Sequence, residues 1–156
     1  MNRFLIAAEG DHRRLKVAAM VQFLSPGPPI IYYGTEVGLA QNRPLGRLEE
    51  SRLPMPARPQ WDQDLREFYR ALIRLRREIA PYQSPMKLLW VDDDSLSAVW
   101  RVGAYELMVN CGADRTFPVG GAELALATCA LEAPSSPDGR LALPPWSAAV
   151  LRRPAG

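Results

Sequence analysis

The sequence is poor in the residues that usually announce a chemistry. It has one histidine, His12, which excludes sites built from several histidines; a Ser-His-Asp arrangement would hang on that residue beside Asp11. Its two cysteines, Cys111 and Cys129, cannot form a metal-binding quartet and do not resemble a disulfide framework. Two buried thiols in a reducing compartment, or one bridge between adjacent strands, are the readings left. No apolar run approaches the ~18 residues of a membrane span, and Met1–Glu9 is too briefly hydrophobic for a secretory signal. A cytoplasmic protein with no membrane partner is expected. Charge is equally uninformative, with 19 basic against 17 acidic residues and a net +2. The basic excess gathers at Arg66, Arg70, Arg74, Arg76 and Arg77, which read as a solvated helix face without interleaved aromatics, so no nucleic-acid partner is expected. At 156 residues the chain is too short for a complete eight-stranded β/α barrel, which takes about 250.

What the chain has is a clear change of rhythm. Asp11 can cap a helix from His12 to Ser25 that is apolar on most sides, as a helix buried by more than one neighbour would be. Pro26-Gly27-Pro28-Pro29 ends it. Ile30-Ile31-Tyr32-Tyr33, apolar without alternation, predicts a central strand covered on both faces, and Gly34 closes it. Residues 35–60 show no period and carry Pro44, Pro54, Pro56 and Pro59; an irregular stretch of that length is more often functional than idle. From Asp64 to Ile79 a stripe of Leu65, Phe68, Tyr69, Leu72, Ile73 and Ile79 predicts a second helix, which Pro81 stops. After Pro85 the period becomes two. Strands are predicted at Lys87–Val91, Leu96–Val102, Tyr105–Val109, Thr116–Val119, Leu124–Thr128, Arg140–Leu143 and Ala148–Arg152, with Ser135–Gly139 as a loop. The expected organisation is α/β followed by all-β, divided near residue 82 into units 1–82 and 83–156.

The one concentrated chemical signal is Gly27-Pro28-Pro29-Ile30-Ile31-Tyr32-Tyr33-Gly34-Thr35-Glu36. In parallel α/β sheets ligands meet the carboxyl ends of the strands, which would put Tyr33, Gly34 and Glu36 at a functional edge. A buried strand ending in a tight turn, with Glu36 paired to an arginine, fits the same residues. Asp92-Asp93-Asp94 could offer carboxylate oxygens to calcium but lacks the spacing of an EF-hand, and reads as a solvated turn. Trp90, Trp100 and Trp146 could stack on sugars or fill a core. No metal site and no cofactor is predicted.

Met1-Asn2-Arg3-Phe4-Leu5, Arg14-Leu15-Lys16-Val17-Ala18-Ala19, the Pro26–Glu36 segment, Arg52-Leu53-Pro54-Met55 and Leu143-Pro144-Pro145-Trp146-Ser147-Ala148-Ala149-Val150-Leu151 together resemble the C-terminal part of α-amylase-family glycoside hydrolases. The resemblance implies a C-terminal fragment of a (β/α)8 barrel followed by an antiparallel, sandwich-like β-domain. It implies an intact enzyme acting by retention on an α-glucan or α-glucoside. Met1-Asn2-Arg3-Phe4 would follow the aspartate that ends the family's seventh barrel strand, so all three family carboxylates would lie upstream of Met1. No residue of this chain is then catalytic, and the chain alone is expected to be inactive. Arg3 and Asn2 would stand beside the missing aspartate, with Tyr33, Gly34 and Glu36 on the substrate face. Two alternatives stay open: a non-catalytic carbohydrate-binding or structural module, and an assembly partner for a separate N-terminal barrel portion.

Overall fold

In a computed structural model of the protein, residues 3–41, 51–131 and 139–154 are described. Asn2, Pro44 and the loop residues 135–138, singled out above, lie outside them. Three α-helices come first: α1 (Phe4–Ala7), α2 (His12–Leu24) and α3 (Gln63–Ile79). Seven strands follow: β1 (Met86–Asp92), β2 (Ser97–Val102), β3 (Tyr105–Asn110), β4 (Arg115–Pro118), β5 (Glu123–Ala127), β6 (Arg140–Leu143) and β7 (Ser147–Arg152). Strands β1-β2-β3-β7-β5, in that order, form an antiparallel sheet, and β4 pairs with β6 in a second, two-stranded one.

Both long helices begin where their caps say. The Asp11 carboxylate accepts from the Arg13 N–H, and the Asp62 carboxylate from the Leu65 N–H. Helix α3 ends on Ala80, held at φ 46°, with Pro81 behind it. Its buried stripe is Leu65, Phe68, Tyr69, Leu72, Leu75 and Ile79, with Ile73 at the margin.

The central strands of the five-stranded sheet, β3 and β7, are buried on both faces. Val102, Tyr105, Leu107, Val109, Ala148 and Val150 meet α2 and α3 in one core. Val99, Met108, Ala149 and Leu151 meet Phe117, Leu141 and Leu143 of the β4–β6 pair in the other. Strand β7 shows why: Ala148 to Leu151 are all fully buried, alternately toward one core and the other.

Three expectations need correction. Ile30–Tyr33 is not a strand: residues 30–32 have no regular secondary structure, Tyr33 lies in a turn, and Ile30 is 79% exposed. A parallel strand exists only against a neighbour, and no described segment pairs with this one. Cys129 is exposed and Cys111 half-buried, both free; neither the bridge nor a pair of buried thiols is found.

The third correction is Arg76, which is not part of a solvated face. It donates from Nη1 to the carbonyls of Phe23 and Ser25 (2.8 Å to the latter) and from Nη2 to Gly27 O (2.9 Å). These carbonyls have no helical partner at the end of α2. Replacing Arg76 with alanine is expected to cost about 1–3 kcal/mol, with faster amide exchange confined to the last turn of α2.

Candidate functional site

Arg3 is the largest of the most deeply buried side chains, at 1% exposure, and it organises the N-terminal unit. Its backbone N–H donates to Gln41 Oε1 (2.9 Å), its Nε to Ser51 O (2.9 Å) and its Nη1 to Tyr33 O (2.7 Å). The guanidinium carbon sits 4.7 Å from the ring centroids of both Tyr32 and Tyr33. The two rings meet edge-on, 4.9 Å apart. A delocalised cation between two aromatic rings gains attraction without needing a carboxylate. Tyr33 in turn donates from its hydroxyl to Leu53 O (2.7 Å), so residues 3, 33, 51 and 53 form one polar cluster.

Gly34 turns the chain at φ 82°, and a β-carbon there would stand 2.7 Å from Leu39 Cδ2. Both facts demand glycine. The turn feeds a short 3₁₀ segment, Thr35–Val37, in which Glu36 is half-buried. Among the described residues no arginine pairs with Glu36, whose Oε2 is buried with no hydrogen-bond partner there. Arg3 Nη2 is the matching case on the cationic side, buried and unpartnered. The Glu36 charge reaches the phenol of Tyr69. Burial first, and that carboxylate second, push Tyr69 up to about 12. A cavity of about 420 Å³ opens beside this cluster, lined by Arg3, Leu15, Ile31, Tyr32, Thr35 and Tyr69.

Arg3, Tyr33 and Gly34 are therefore brought together directly, and Glu36 follows them on the same turn. Asn2 lies outside the described residues. Tyr69, Gln41 and Ser51 join the cluster without having been singled out. Tyr69 carried the apolar signal of a helix stripe, and nothing local marked the other two.

The tryptophans do not form a common platform. Trp100 packs against the helix-side core, whereas Trp90 meets Phe117 edge-on across the opposite face of the sheet. Trp146 lies under the Arg14 guanidinium, 4.6 Å away, tying the start of β7 to α2. Asp92 accepts from the Ser95 N–H and pairs with Arg115 at 2.9 Å, which makes its turn a fastening. Among the described residues no group of three or more His, Cys, Asp or Glu could hold a metal ion. No described helix is long and apolar enough to cross a membrane.

No family model matches the sequence. Individual proteins do. The chain is 41% identical over 80 residues to a cyclomaltodextrinase of Bacillus sp, covering 48% of this chain and 13% of that protein. It is 39% identical over 84 residues to alpha-amylase 2 of Dictyoglomus thermophilum, covering 49% and 14%. In fold it matches the solved structure of Ttha1563 from Thermus thermophilus at TM-score 0.74 and 28% identity, over 98% of this chain and 34% of that one. The matched stretches are small parts of these relatives. The resemblance to the α-amylase family is borne out, and the mostly antiparallel sheet with few helices agrees with its solved neighbours.

Proposed function

We propose that the chain is the C-terminal part of an α-amylase-family glycosidase. Residues 1–82 would contribute the end of its catalytic β/α barrel and residues 83–156 its C-terminal β-domain. The complete enzyme would cleave or transfer at α-glucosidic bonds of an α-glucan or α-glucoside, with retention. Free Cys111 and Cys129 support a reducing, cytoplasmic setting.

The observation that carries this reading is the state of the segment from Arg3 to Glu36. Among the described residues the apolar stretch at 30–33 has no strand partner, and two buried atoms on groups of opposite charge, Arg3 Nη2 and Glu36 Oε2, have no hydrogen bond. Buried polar groups in native proteins are nearly always satisfied. A neighbouring barrel strand and its terminal loop would supply both the ladder and the missing partners.

The mechanism follows from what these residues can do. Retaining cleavage needs a nucleophilic carboxylate and a protonated one about 5–5.5 Å apart, flanking the sugar. Among the described carboxylates, Asp62 is committed to His12 and Leu65 and Asp92 to Ser95 and Arg115. Glu36 and Tyr33 would then support the substrate face across the Gly34 turn. Arg3 is a positioning residue: fixed by Ser51, Tyr33 and two rings, its free Nη2 would orient a carboxylate arriving from the rest of the barrel, with Asn2 next to it.

Purified 156-residue protein is expected to leave an aryl α-glucoside intact. Co-expression with a polypeptide carrying the preceding barrel strands is expected to give a stable complex that hydrolyses it. Turnover by the chain alone, lost in Glu36→Gln, would overturn the proposal. So would saturable maltooligosaccharide binding by the chain alone that vanishes on changing Trp146, which would favour a carbohydrate-binding module.

A further inference from the structure

We infer that the β-domain carries a ligand site of its own, which takes a small amphiphile with a flat apolar body and one anionic head group. The site is a groove of about 450 Å³ where β4 meets the β1–β2–β3 face, and no part of the glycosidase reading uses it. That volume lies in the range of small-molecule pockets, roughly 300–1,000 Å³.

Its floor is apolar. Leu89, Trp90, Val99, Met108 and Phe117 line it, and Trp90 and Leu89 are 37% and 43% exposed where a packed residue would be covered. The half-exposed indole of Trp90, edge-on to the buried Phe117, is an aromatic surface, which favours a flat body over a branched one.

Its rim is cationic. Arg101, Arg115 and Arg153 line the groove. Two carboxylates face them: Glu106, bonded to Arg101 Nη2 (2.6 Å) and to Arg153 Nε (2.9 Å), and Asp92, paired with Arg115 (2.9 Å). Three cations against two carboxylates leave one positive charge unneutralised. Burial alone would raise the Glu106 carboxyl, but its bonds from Arg153 and Arg101 outweigh that and hold it below the usual carboxylate range. It stays an anion and cannot donate a proton to a ligand. The Arg115 guanidinium lies 4.5 Å from the Trp90 ring and keeps Nε and Nη2 without described partners; Arg101 likewise keeps Nε and Nη1.

This donor pattern separates an anion from a sugar. A neutral saccharide brings hydroxyls that must donate as well as accept. Both carboxylates here already accept from arginines, so a sugar's hydroxyls would compete with Arg101, Arg153 and Arg115 for them. A single carboxylate or sulfonate needs only the donors that remain.

The test is titration calorimetry of the whole chain with 2-naphthoate, its neutral isostere 2-naphthamide, and maltotriose. One-to-one binding of naphthoate is expected, weakened by salt, with naphthamide at least tenfold weaker and maltotriose silent. Leu89→Glu adds a like charge at a half-exposed wall position and is expected to weaken naphthoate at least tenfold. Leu88→Glu, 55% exposed and outside the groove on the same strand, is expected to change it less than twofold. Circular dichroism of both variants separates misfolding from lost binding; should Leu89→Glu misfold, Arg101→Gln takes its place with the same expected loss. Equal affinity for naphthoate and naphthamide, preference for maltotriose, absence of binding, or equal effects at 88 and 89 would each overturn the inference.

Discussion

Replacing Arg153 with leucine is expected to lower the unfolding free energy by about 3–5 kcal/mol, the usual cost of stranding a buried charge. Glu106 is 1% exposed and lies in β3 at the centre of the large sheet. Arg153 gives it two bonds, from Nε (2.9 Å) and Nη2 (2.5 Å), and a third donor, Nη1, holds Val119 O (2.7 Å). Without Arg153 the carboxylate keeps only Arg101, whose side chain is 49% exposed and well solvated. Glu106→Gln should cost less, about 1–2 kcal/mol, because both arginines retain access to water. The pH dependence distinguishes these variants. The folded Glu106 carboxyl is depressed, so its contribution is fully present above the ordinary glutamate value of about 4.3. That contribution fades as pH falls through the lower folded value, because the unfolded chain binds the proton first. Urea midpoints of the parent protein should therefore fall between pH 5 and pH 3, and the fall should be smaller in Glu106→Gln. An Arg153→Leu midpoint within experimental scatter of the parent would refute the account.

Much of the β-domain was legible because its signals are local. Six of its strands lie within two residues of the predicted spans, since alternation and turn residues act over a few positions. Strand β6 coincides with its prediction. The helices were legible through Asp11 and Pro81, which start or stop a helix by their own chemistry. Ile30–Tyr33 failed for a reason of the opposite kind. Branched and aromatic residues favour an extended backbone, but pairing belongs to two segments at once, and the described residues hold no second one. Arg76 failed similarly: helical spacing put it among solvated arginines, while the orphan carbonyls it satisfies lie some fifty positions earlier. The Arg3 cluster depends on contacts across 30 and 48 positions, to Tyr33 and Ser51, so only its components could be named in advance. Glu106 was missed altogether. A glutamate in a strand reads as a solvent-facing position unless its cationic partners are known to converge on it.

Replacing Arg3 with alanine should release the Tyr33–Ser51 connection, at a local cost of about 3–5 kcal/mol. The side chain's bonds to Tyr33 O and Ser51 O go, together with the contacts to both tyrosine rings. Hydrogen bonds from a charged donor contribute about 1.5–3 kcal/mol each, and each ring about 0.5–2. Relaxation and entering water return part of the loss. Arg3→Lys should recover less than half, because an ammonium on a flexible stem cannot span two carbonyls while keeping contact with two rings. The effect should also be confined. The core between the large sheet and the β4–β6 pair shares no residue with this cluster, so amide exchange should quicken at 30–41 and around Ser51 while β4 and β6 stay protected. Hydrogen exchange with residue-level readout measures this directly. Uniform loss of protection across helices and sheet would mean that Arg3 supports the whole fold. Unchanged protection at 30–41 would mean that the guanidinium holds nothing there, and its unpartnered nitrogen would then be poorly placed to orient a carboxylate.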